Sequence, residues 1–266
     1  NAQNEYYLTD IVSLAIENNC EVKSVSCLNE AEASGVNNLL QLASLEKYYQ
    51  KSQAEALLLQ GVKITDPSRF DCRGECDIAS DTKIDINVVL EGSVKIGRGV
   101  SIGPNCIIKN CTINDGTKIE ANCVIEESII GSNCSIGPFA RIRPGTELGA
   151  EVKIGNFVET KKAKIGKGSK VNHLSYVGDT EMGAEVNVGA GTITCNYDGV
   201  NKFKTIIGDN VFIGSNTALV APVKVENGAT VGAGSTITKD VDNDQLALSR
   251  SKQSNIDGWK RPVKKN

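Results

Sequence analysis

The sequence predicts a mainly β protein, a parallel β-helix of hexapeptide repeats preceded by a small α/β segment and a linker helix. Aliphatic residues recur at every sixth position over much of the chain, beginning with Ile84, Leu90, Ile96, Ile102 and Ile108. Glycine is abundant at 26 residues, whereas aromatic residues make up only 5% of the chain. The predicted core therefore consists of aliphatic side chains.

A period of six matches neither the 3.6-residue repeat of an amphipathic helix nor the two-residue alternation of a strand. It is typical of short strands separated by tight turns, each with one aliphatic side chain pointing inward. Three such strands form a triangular coil of about 18 residues, and stacked coils pair as parallel strands about 4.8 Å apart. We expect about nine coils, left-handed as in known hexapeptide β-helices, with the frequent glycines supplying turn conformations.

The largest interruption of the repeat lies between Val188 and Ile207 and reads GAGTITCNYDGVNKFKTI. An insertion into a solenoid becomes a surface loop, and such loops are often functional. The Asn-Tyr-Asp-Gly stretch within it is typical of a turn.

The first 60 residues lack the period of six. Residues 8–17 predict a helix with Thr9 or Asp10 near its cap, residues 20–27 predict a short strand, and helical spacing from residue 34 onward predicts a long helix that ends near Gly61. This segment is too short for a complete nucleotide-binding domain. The predicted domains are a remnant at 1–38, a linker helix at 39–62, the β-helix at 63–250 and a tail at 251–266.

The chain has nine cysteines but no C-x-x-C pair, and its single histidine is His173. Four of the cysteines lie two residues before a repeat aliphatic, where a reduced thiol acts as a small hydrophobe: Cys106, Cys111, Cys123 and Cys134. The chain lacks a signal-peptide pattern and an apolar run of about 18 residues, which predicts a cytoplasmic protein with reduced thiols and without membrane insertion. A net charge of −3 argues against a nucleic-acid binder that acts through phosphate contacts.

Several long stretches closely resemble bacterial GlmU, a family that joins a glucosamine-1-phosphate N-acetyltransferase to an N-acetylglucosamine-1-phosphate uridylyltransferase. These stretches include FARIRPGTEL, GNFVETKKAKIGKGSKVNHLSYVGD, NVGAGTITCNYDGVNKFKTIIGD and the terminal GWKRPVKK. The resemblance covers essentially the whole chain, but the glycine-rich UTP-binding start of the uridylyltransferase domain has no counterpart. Residues 1–38 match only the end of that domain, so we expect this chain to lack uridylyltransferase activity.

The resemblance implies acetyl transfer from acetyl-CoA to the 2-amine of glucosamine-1-phosphate, on the route to UDP-N-acetylglucosamine for cell-wall and lipopolysaccharide synthesis. The reaction needs a general base of near-neutral pKa, for which histidine is suited, and a donor for the oxyanion. The family's base matches His173, its oxyanion donor matches the Ala190 N–H, and Glu159 is a candidate to orient the base. The family is a homotrimer with sites between neighbouring β-helices, where the C-terminal tail reaches an adjacent subunit.

The remaining site residues are likewise carried over from the family. The phosphate and sugar contacts match Arg143, Lys161, Tyr176, Asn187 and Lys202. The acetyl-CoA contacts match Ala190, Asn196, Tyr197, Ser215, Ala233 and Arg250. An Asn that helps hold Mg²⁺ in the uridylyltransferase domain matches Asn37, whose carboxylate partner is absent from this chain.

Three alternatives share the fold. A γ-type carbonic anhydrase needs three histidine ligands for zinc, and this chain has one. Other hexapeptide acyltransferases, such as serine acetyltransferases or the sugar-nucleotide acyltransferases of lipid A synthesis, often have a histidine base, but GTITCNYDGVNKFKT argues against them. A non-catalytic β-helix scaffold stays open, because the repeat alone does not exclude it.

Overall fold

The computed structural model describes residues 7–264, which form two compact units divided between Tyr49 and Gln50. The first unit contains helix α1 (Asp10–Glu17), a 3₁₀ helix (Glu30–Ala33) and the start of helix α2 (Leu39–Leu59). The strand predicted at 20–27 is wrong: these residues are irregular, and the described part of this unit contains no strand to pair with them.

The second unit begins within α2. Ala54 and Leu57 are buried in its core, and the Gln50 amide binds both the backbone carbonyl and the N–H of Cys72, at 2.9 and 2.8 Å. Gly61 follows the helix with a φ of +90°, a backbone conformation that glycine adopts at helix ends. This part of α2 therefore covers the first coil of the β-helix.

The rest of the second unit is a stack of short strands. In chain order they are β1 (Lys63–Ile64), β2 (Phe70–Ile78), β3 (Lys83–Ile84), β4 (Val88–Ile96), β5 (Ser101–Ile102), β6 (Ile107–Lys109), β7 (Thr112–Ile113), β8 (Lys118–Ile119), β9 (Val124–Glu126), β10 (Ile129–Ile130), β11 (Ser135–Ile136), β12 (Arg141–Ile142), β13 (Glu147–Leu148), β14 (Lys153–Asn156), β15 (Glu159–Ile165), β16 (Lys170–His173), β17 (Tyr176–Met182), β18 (Asn187–Val188), β19 (Ile193–Cys195), β20 (Thr205–Ile207), β21 (Phe212–Ile213), β22 (Ala218–Val220), β23 (Val223–Val225), β24 (Thr230–Val231), β25 (Thr236–Ile237) and β26 (Leu246–Ala247). A short 3₁₀ helix (Pro67–Arg69) precedes β2.

The strands form a triangular prism of about ten turns. One face is an 11-stranded sheet that runs from β1 to β26. The other two faces form a continuous 15-stranded sheet, because long strands such as β15 and β17 pass around the corner between them. The first half of β15 pairs with β12 and the second half with β13, and these pairings are parallel. The predicted parallel β-helix is confirmed.

The repeat aliphatics form the core. Every one of them from Ile84 to Ile237 is buried, including Met182. The four cysteines of the small-residue position are buried as well, and burial raises the pKa of Cys111 to about 11. Its thiol therefore stays protonated at neutral pH and serves as a small apolar side chain.

The expectation that all cysteines are reduced is wrong at one pair. Cys72 and Cys76 form a disulfide within β2, where the strand passes from one face of the prism to the next. The two cysteines are four residues apart, a spacing that is not typical of a metal site. Across this corner it brings the two sulfur atoms together.

The glycines that follow the repeat aliphatics were predicted to supply turn conformations, but most of them have a different role. Most of them, including Gly103, Gly155 and Gly214, lie outside the left-handed region. They are needed because the next coil passes close by: a Cβ on Gly155 would lie 2.0 Å from the carbonyl oxygen of Asn172. The left-handed corners are often occupied by other residues instead, among them Phe157 and Asp179.

Candidate active site

His173 ends β16 at one edge of the prism, and its imidazole is exposed. Val171 and Val177, on either side of it in sequence, are buried and hold the chain to the core. The Ser175 hydroxyl donates a 2.7 Å hydrogen bond to the carbonyl of His173 and so secures the turn between β16 and β17. Within residues 7–264 the imidazole itself makes no hydrogen bond, so its nitrogen atoms are accessible to a ligand.

A column of small residues rises from His173 along the same edge. The N–H of Gly191 donates to the carbonyl of His173 at 3.4 Å, so Ala190 lies beside His173 in the next coil. The same pattern repeats upward, since Asn216 donates to Ala190 at 2.7 Å and Gly234 donates to the carbonyl of Ser215 at 2.8 Å. The column therefore continues through Ser215 and Ala233, which lies about 14 Å from His173 at a spacing of about 4.8 Å per coil.

Two features of this column bear on chemistry. The N–H of Ala190 has no hydrogen-bond acceptor among the described residues, and it is therefore available as a donor next to His173. At the top of the column, Nη1 of Arg250 donates to the carbonyl of Ala233 at 2.8 Å. The structure thus aligns five of the predicted residues, His173, Ala190, Ser215, Ala233 and Arg250, although they span 78 positions of sequence (250 − 173 + 1).

Polar side chains occupy the adjoining face, which begins at Tyr176. Glu159 lies in register with Arg141 on one side and Tyr176 on the other. Its carboxylate binds Nη1 of Arg143 at 2.6 Å, and this contact raises the pKa of the guanidinium. The carboxylate expected to orient His173 is therefore bound to Arg143 instead.

Two lysines meet at the far edge of this face. Lys161 pairs in register with Gly178, next to Asp179, whose carboxylate accepts a hydrogen bond from Asn196 of the insertion that carries Lys202. The nearby charge of Lys202 is the main reason why the pKa of Lys161 lies below its usual value, and Arg143 adds to the effect. Adjacent cations of this kind favour an anion between them, such as a phosphate.

The insertion loop, residues 196–204, places Lys202. Tyr197 and Lys202 form an antiparallel bridge, and the Phe203 N–H returns to the carbonyl of Asn196 at 2.9 Å. Asn196 is buried, and its amide donates to the carboxylate of Asp179, whereas Tyr197 is exposed. Asp179 was not predicted as a site residue, although Gly-Asp at a corner of the coil is a recognisable turn signal.

Two predicted residues lie elsewhere. Asn187 lies on β18, in the 11-stranded sheet, in register with Lys170 rather than with His173. Asn37 is an exposed residue of the first unit, where its N–H donates to the side chain of Gln41 at 2.7 Å. Mg²⁺ requires several oxygen ligands, and the described residues contain no group of three or more His, Cys, Asp or Glu that could hold a metal. Asn37 and its surroundings do not fit a Mg²⁺ site.

No helix in the described part of the chain is long and apolar enough to cross a membrane.

Replacing Lys202 with methionine is expected to raise the pKa of Lys161. The positive charge of Lys202 disfavours protonation of its neighbour, so removing that charge makes Lys161 easier to protonate. An NMR titration of the lysine Nζ groups would measure the change, with Lys118→Met as the control, because Lys118 pairs with Glu120 at 2.6 Å on β8, outside the insertion loop. If the pKa of Lys161 is unchanged or lower in Lys202→Met, the charge of Lys202 does not act on Lys161 as described.

Comparisons with known proteins agree with the fold. A model of the GMPPB C-terminal domain matches residues 72–165, and a model of the hexapeptide repeat of succinyl-transferase matches residues 204–239. Among solved structures, the UDP-N-acetylglucosamine acyltransferase from Campylobacter jejuni superposes with a TM-score of 0.52 at 18% identity, covering 70% of this chain and 71% of its own. The chain is a left-handed parallel β-helix, as this likeness indicates.

Curated relatives resemble the chain along nearly its whole length. The bifunctional protein GlmU of Marinobacter nauticus is 60% identical over 264 residues, and that of Pseudoalteromonas atlantica is 56% identical over the same number. The chain spans 58% of the length of each of these relatives. The predicted resemblance is thereby confirmed: over 99% of its length the chain matches the bifunctional GlmU proteins.

Proposed function

We propose that this chain transfers the acetyl group of acetyl-CoA to the 2-amine of glucosamine-1-phosphate, giving N-acetylglucosamine-1-phosphate on the route to UDP-N-acetylglucosamine. One observation carries the proposal. His173, whose imidazole is exposed, is the backbone neighbour of Ala190 in the next coil, and the Ala190 N–H has no acceptor among the described residues. A proton acceptor and an oxyanion donor are the two groups that acyl transfer to an amine requires.

In the proposed reaction, the substrate binds as the neutral amine, and His173 accepts the proton that the nitrogen loses during the attack. The amine forms a bond to the thioester carbonyl carbon, and the resulting oxyanion accepts a hydrogen bond from the Ala190 N–H. When the intermediate collapses, the carbon–sulfur bond breaks and the thiolate of CoA takes the proton that His173 holds. The amide and the free thiol are the products, and His173 returns to its neutral state.

The column above His173 is suited to the arm of acetyl-CoA. Its residues carry small side chains, and further N–H groups at Ser215 and Ala233 have no acceptor among the described residues. Arg250, at the upper end, contributes a cation where the phosphates of CoA would lie. Tyr197 and Asn196 of the insertion loop are further proposed contacts, although the buried Asn196 amide is bound to Asp179.

The sugar phosphate is proposed to lie on the face between His173 and the lysine pair. Lys161 and Lys202 would hold the phosphate, with Arg143 beside them. Tyr176 lies along β17 between His173 and Gly178, the residue in register with Lys161. Asn187 lies on the 11-stranded sheet, and its proposed contact with the sugar rests on the family match alone. This arrangement would direct the 2-amine toward the histidine.

We further propose that the chain acts as a homotrimer whose sites lie between neighbouring β-helices. Three apolar side chains follow one another down the edge below the site, with exposed fractions of 47%, 59% and 64%: Phe139, Phe157 and Leu174. The rings of the two phenylalanines stack at 5.2 Å. Such a run of exposed apolar residues is typical of an interface, and the exposed C-terminal residues would complete the site of an adjacent subunit.

The proposal predicts release of free thiol when the protein is mixed with acetyl-CoA and glucosamine-1-phosphate. Mass spectrometry of the product identifies the N-acetyl sugar phosphate, and light scattering of the same sample should give the mass of three chains. N-Acetylglucosamine-1-phosphate is the control acceptor, because its nitrogen is already acylated. Absence of turnover with the free amine would refute the activity, and a mass of one or two chains would refute the trimer.

A further inference from the structure

Asp179 occupies an unusual position beside the lysine pair. It lies where β17 turns a corner of the prism, and its φ of +46° falls in the left-handed region. Asp and Asn tolerate this conformation better than most residues with a Cβ. Within residues 7–264 its carboxylate forms no ion pair by direct contact, and it accepts the hydrogen bond of the buried Asn196 amide.

Asn196 is the base of the insertion loop. Its carbonyl accepts the N–H of Phe203, so the chain leaves and re-enters the coil at this residue. The tip is closed by Asp198, whose carboxylate accepts the N–H groups of Val200 and Asn201 at 2.8 and 2.6 Å. The loop is therefore ordered internally, and a displacement at Asn196 would move it as one piece.

The loop carries Lys202 to Lys161. Contact between two ammonium groups is unfavourable in the absence of an anion, so the loop must be held in place by other interactions. The nearby hydrogen bond from Asn196 to Asp179 is one such interaction, and the pair between Lys204 and Glu181 is another, although its side chains are about half exposed. A partly buried hydrogen bond to a charged acceptor stabilises more than an exposed ion pair does.

We propose that Asp179 is a positioning residue that anchors the insertion loop through Asn196 and thereby holds Lys202 beside Lys161 for the phosphate of the substrate. The inference rests on the proposed function for the identity of the anion. It assigns to Asp179 no contact with the substrate, since its carboxylate is engaged by the Asn196 amide.

Two substitutions separate the hydrogen bond that Asp179 accepts from Asn196 from the negative charge of its carboxylate. Asp179→Asn removes the negative charge but keeps a side-chain oxygen that accepts from Asn196. Asp179→Gly removes the acceptor as well, and it avoids backbone strain because glycine adopts a positive φ freely. Glu127→Gly is the matched control, because Glu127 is an exposed corner residue with a φ of +42° on the same edge, away from the lysine pair.

Calorimetric titration with glucosamine-1-phosphate measures the effect on the site directly. We expect Asp179→Gly to weaken binding by about tenfold or more, because the loop no longer holds Lys202 near Lys161 for the phosphate. Asp179→Asn should bind at least as tightly as the unsubstituted protein, since the loop stays anchored and the cations lose a nearby negative charge. Equal weakening in both variants, or unchanged binding in the glycine variant, would overturn the proposal.

Hydrogen exchange of residues 196–206 provides a readout that is independent of the ligand. The Phe203 amide should exchange faster in Asp179→Gly than in Asp179→Asn, and Glu127→Gly should leave it unchanged. If the unsubstituted protein neither binds nor acetylates the sugar phosphate, the proposed function fails, but this exchange measurement still tests the anchor. Unchanged protection in Asp179→Gly would overturn the anchoring role itself.

Discussion

Replacing His173 with alanine is expected to lower the rate of acetyl transfer by about 100-fold or more, the usual scale for loss of a general base. His173 is the only histidine of the chain, its imidazole is exposed, and its backbone neighbour in the next coil is Ala190. The thiol-release assay measures the effect at saturating concentrations of both substrates. The decrease should appear in kcat, because the proton acceptor acts in the chemical step.

The fold should be unaffected by this change. The imidazole is exposed and without a hydrogen bond in the described residues, so the melting temperature of the variant should match that of the unsubstituted protein. Near-normal turnover in His173→Ala would remove His173 from the proposed role, whatever the state of the rest of the site.

Replacing Gly155 with alanine is expected to destabilise the β-helix by about 2–3 kcal/mol, the range typical of overpacking. The added methyl carbon would lie 2.0 Å from the backbone oxygen of Asn172, and backbone of the next coil has little freedom to move. Asn172 immediately precedes His173, so the variant should also lose activity. Denaturant unfolding measures the stability, and the thiol assay measures the activity.

Gly35→Ala is the matched control. A Cβ on Gly35 would meet no atom within 4 Å. Glycine-to-alanine changes at such compatible positions are neutral or slightly stabilising, because alanine restricts the unfolded chain. If Gly155→Ala loses no more stability than Gly35→Ala, the prediction is contradicted. The space between neighbouring coils at Gly155 would then accommodate a methyl group.

The core was predictable from the sequence because the period of six does not depend on distant residues. Each repeat aliphatic, such as Ile119 or Leu148, is buried as expected. The insertion was predictable for the same reason, since it interrupts the period. Burial of the cysteines followed from their fixed offset within the repeat, whereas the Cys72–Cys76 disulfide lies outside that pattern and was missed.

Interactions across coils were harder to predict. The number of residues per coil varies, so the partner of a given residue is known only from the register. Glu159 illustrates this: the register places it beside Tyr176, and its carboxylate binds Arg143 at 2.6 Å, a partner that the sequence did not indicate. The glycines were similarly assigned to turns, although their role depends on the backbone of the next coil.

By itself, the sequence determined the architecture of this protein and its candidate residues, because periodicity and long motifs are local properties of the chain. Only the tertiary structure decided which of those residues meet. It aligned Ala190, Ser215 and Ala233 above His173 through backbone hydrogen bonds between coils, and it brought Lys202 to Lys161 by way of a loop that Asp179 holds. These neighbours are 17 to 41 positions apart in sequence, and register, corner geometry and loop closure place them together.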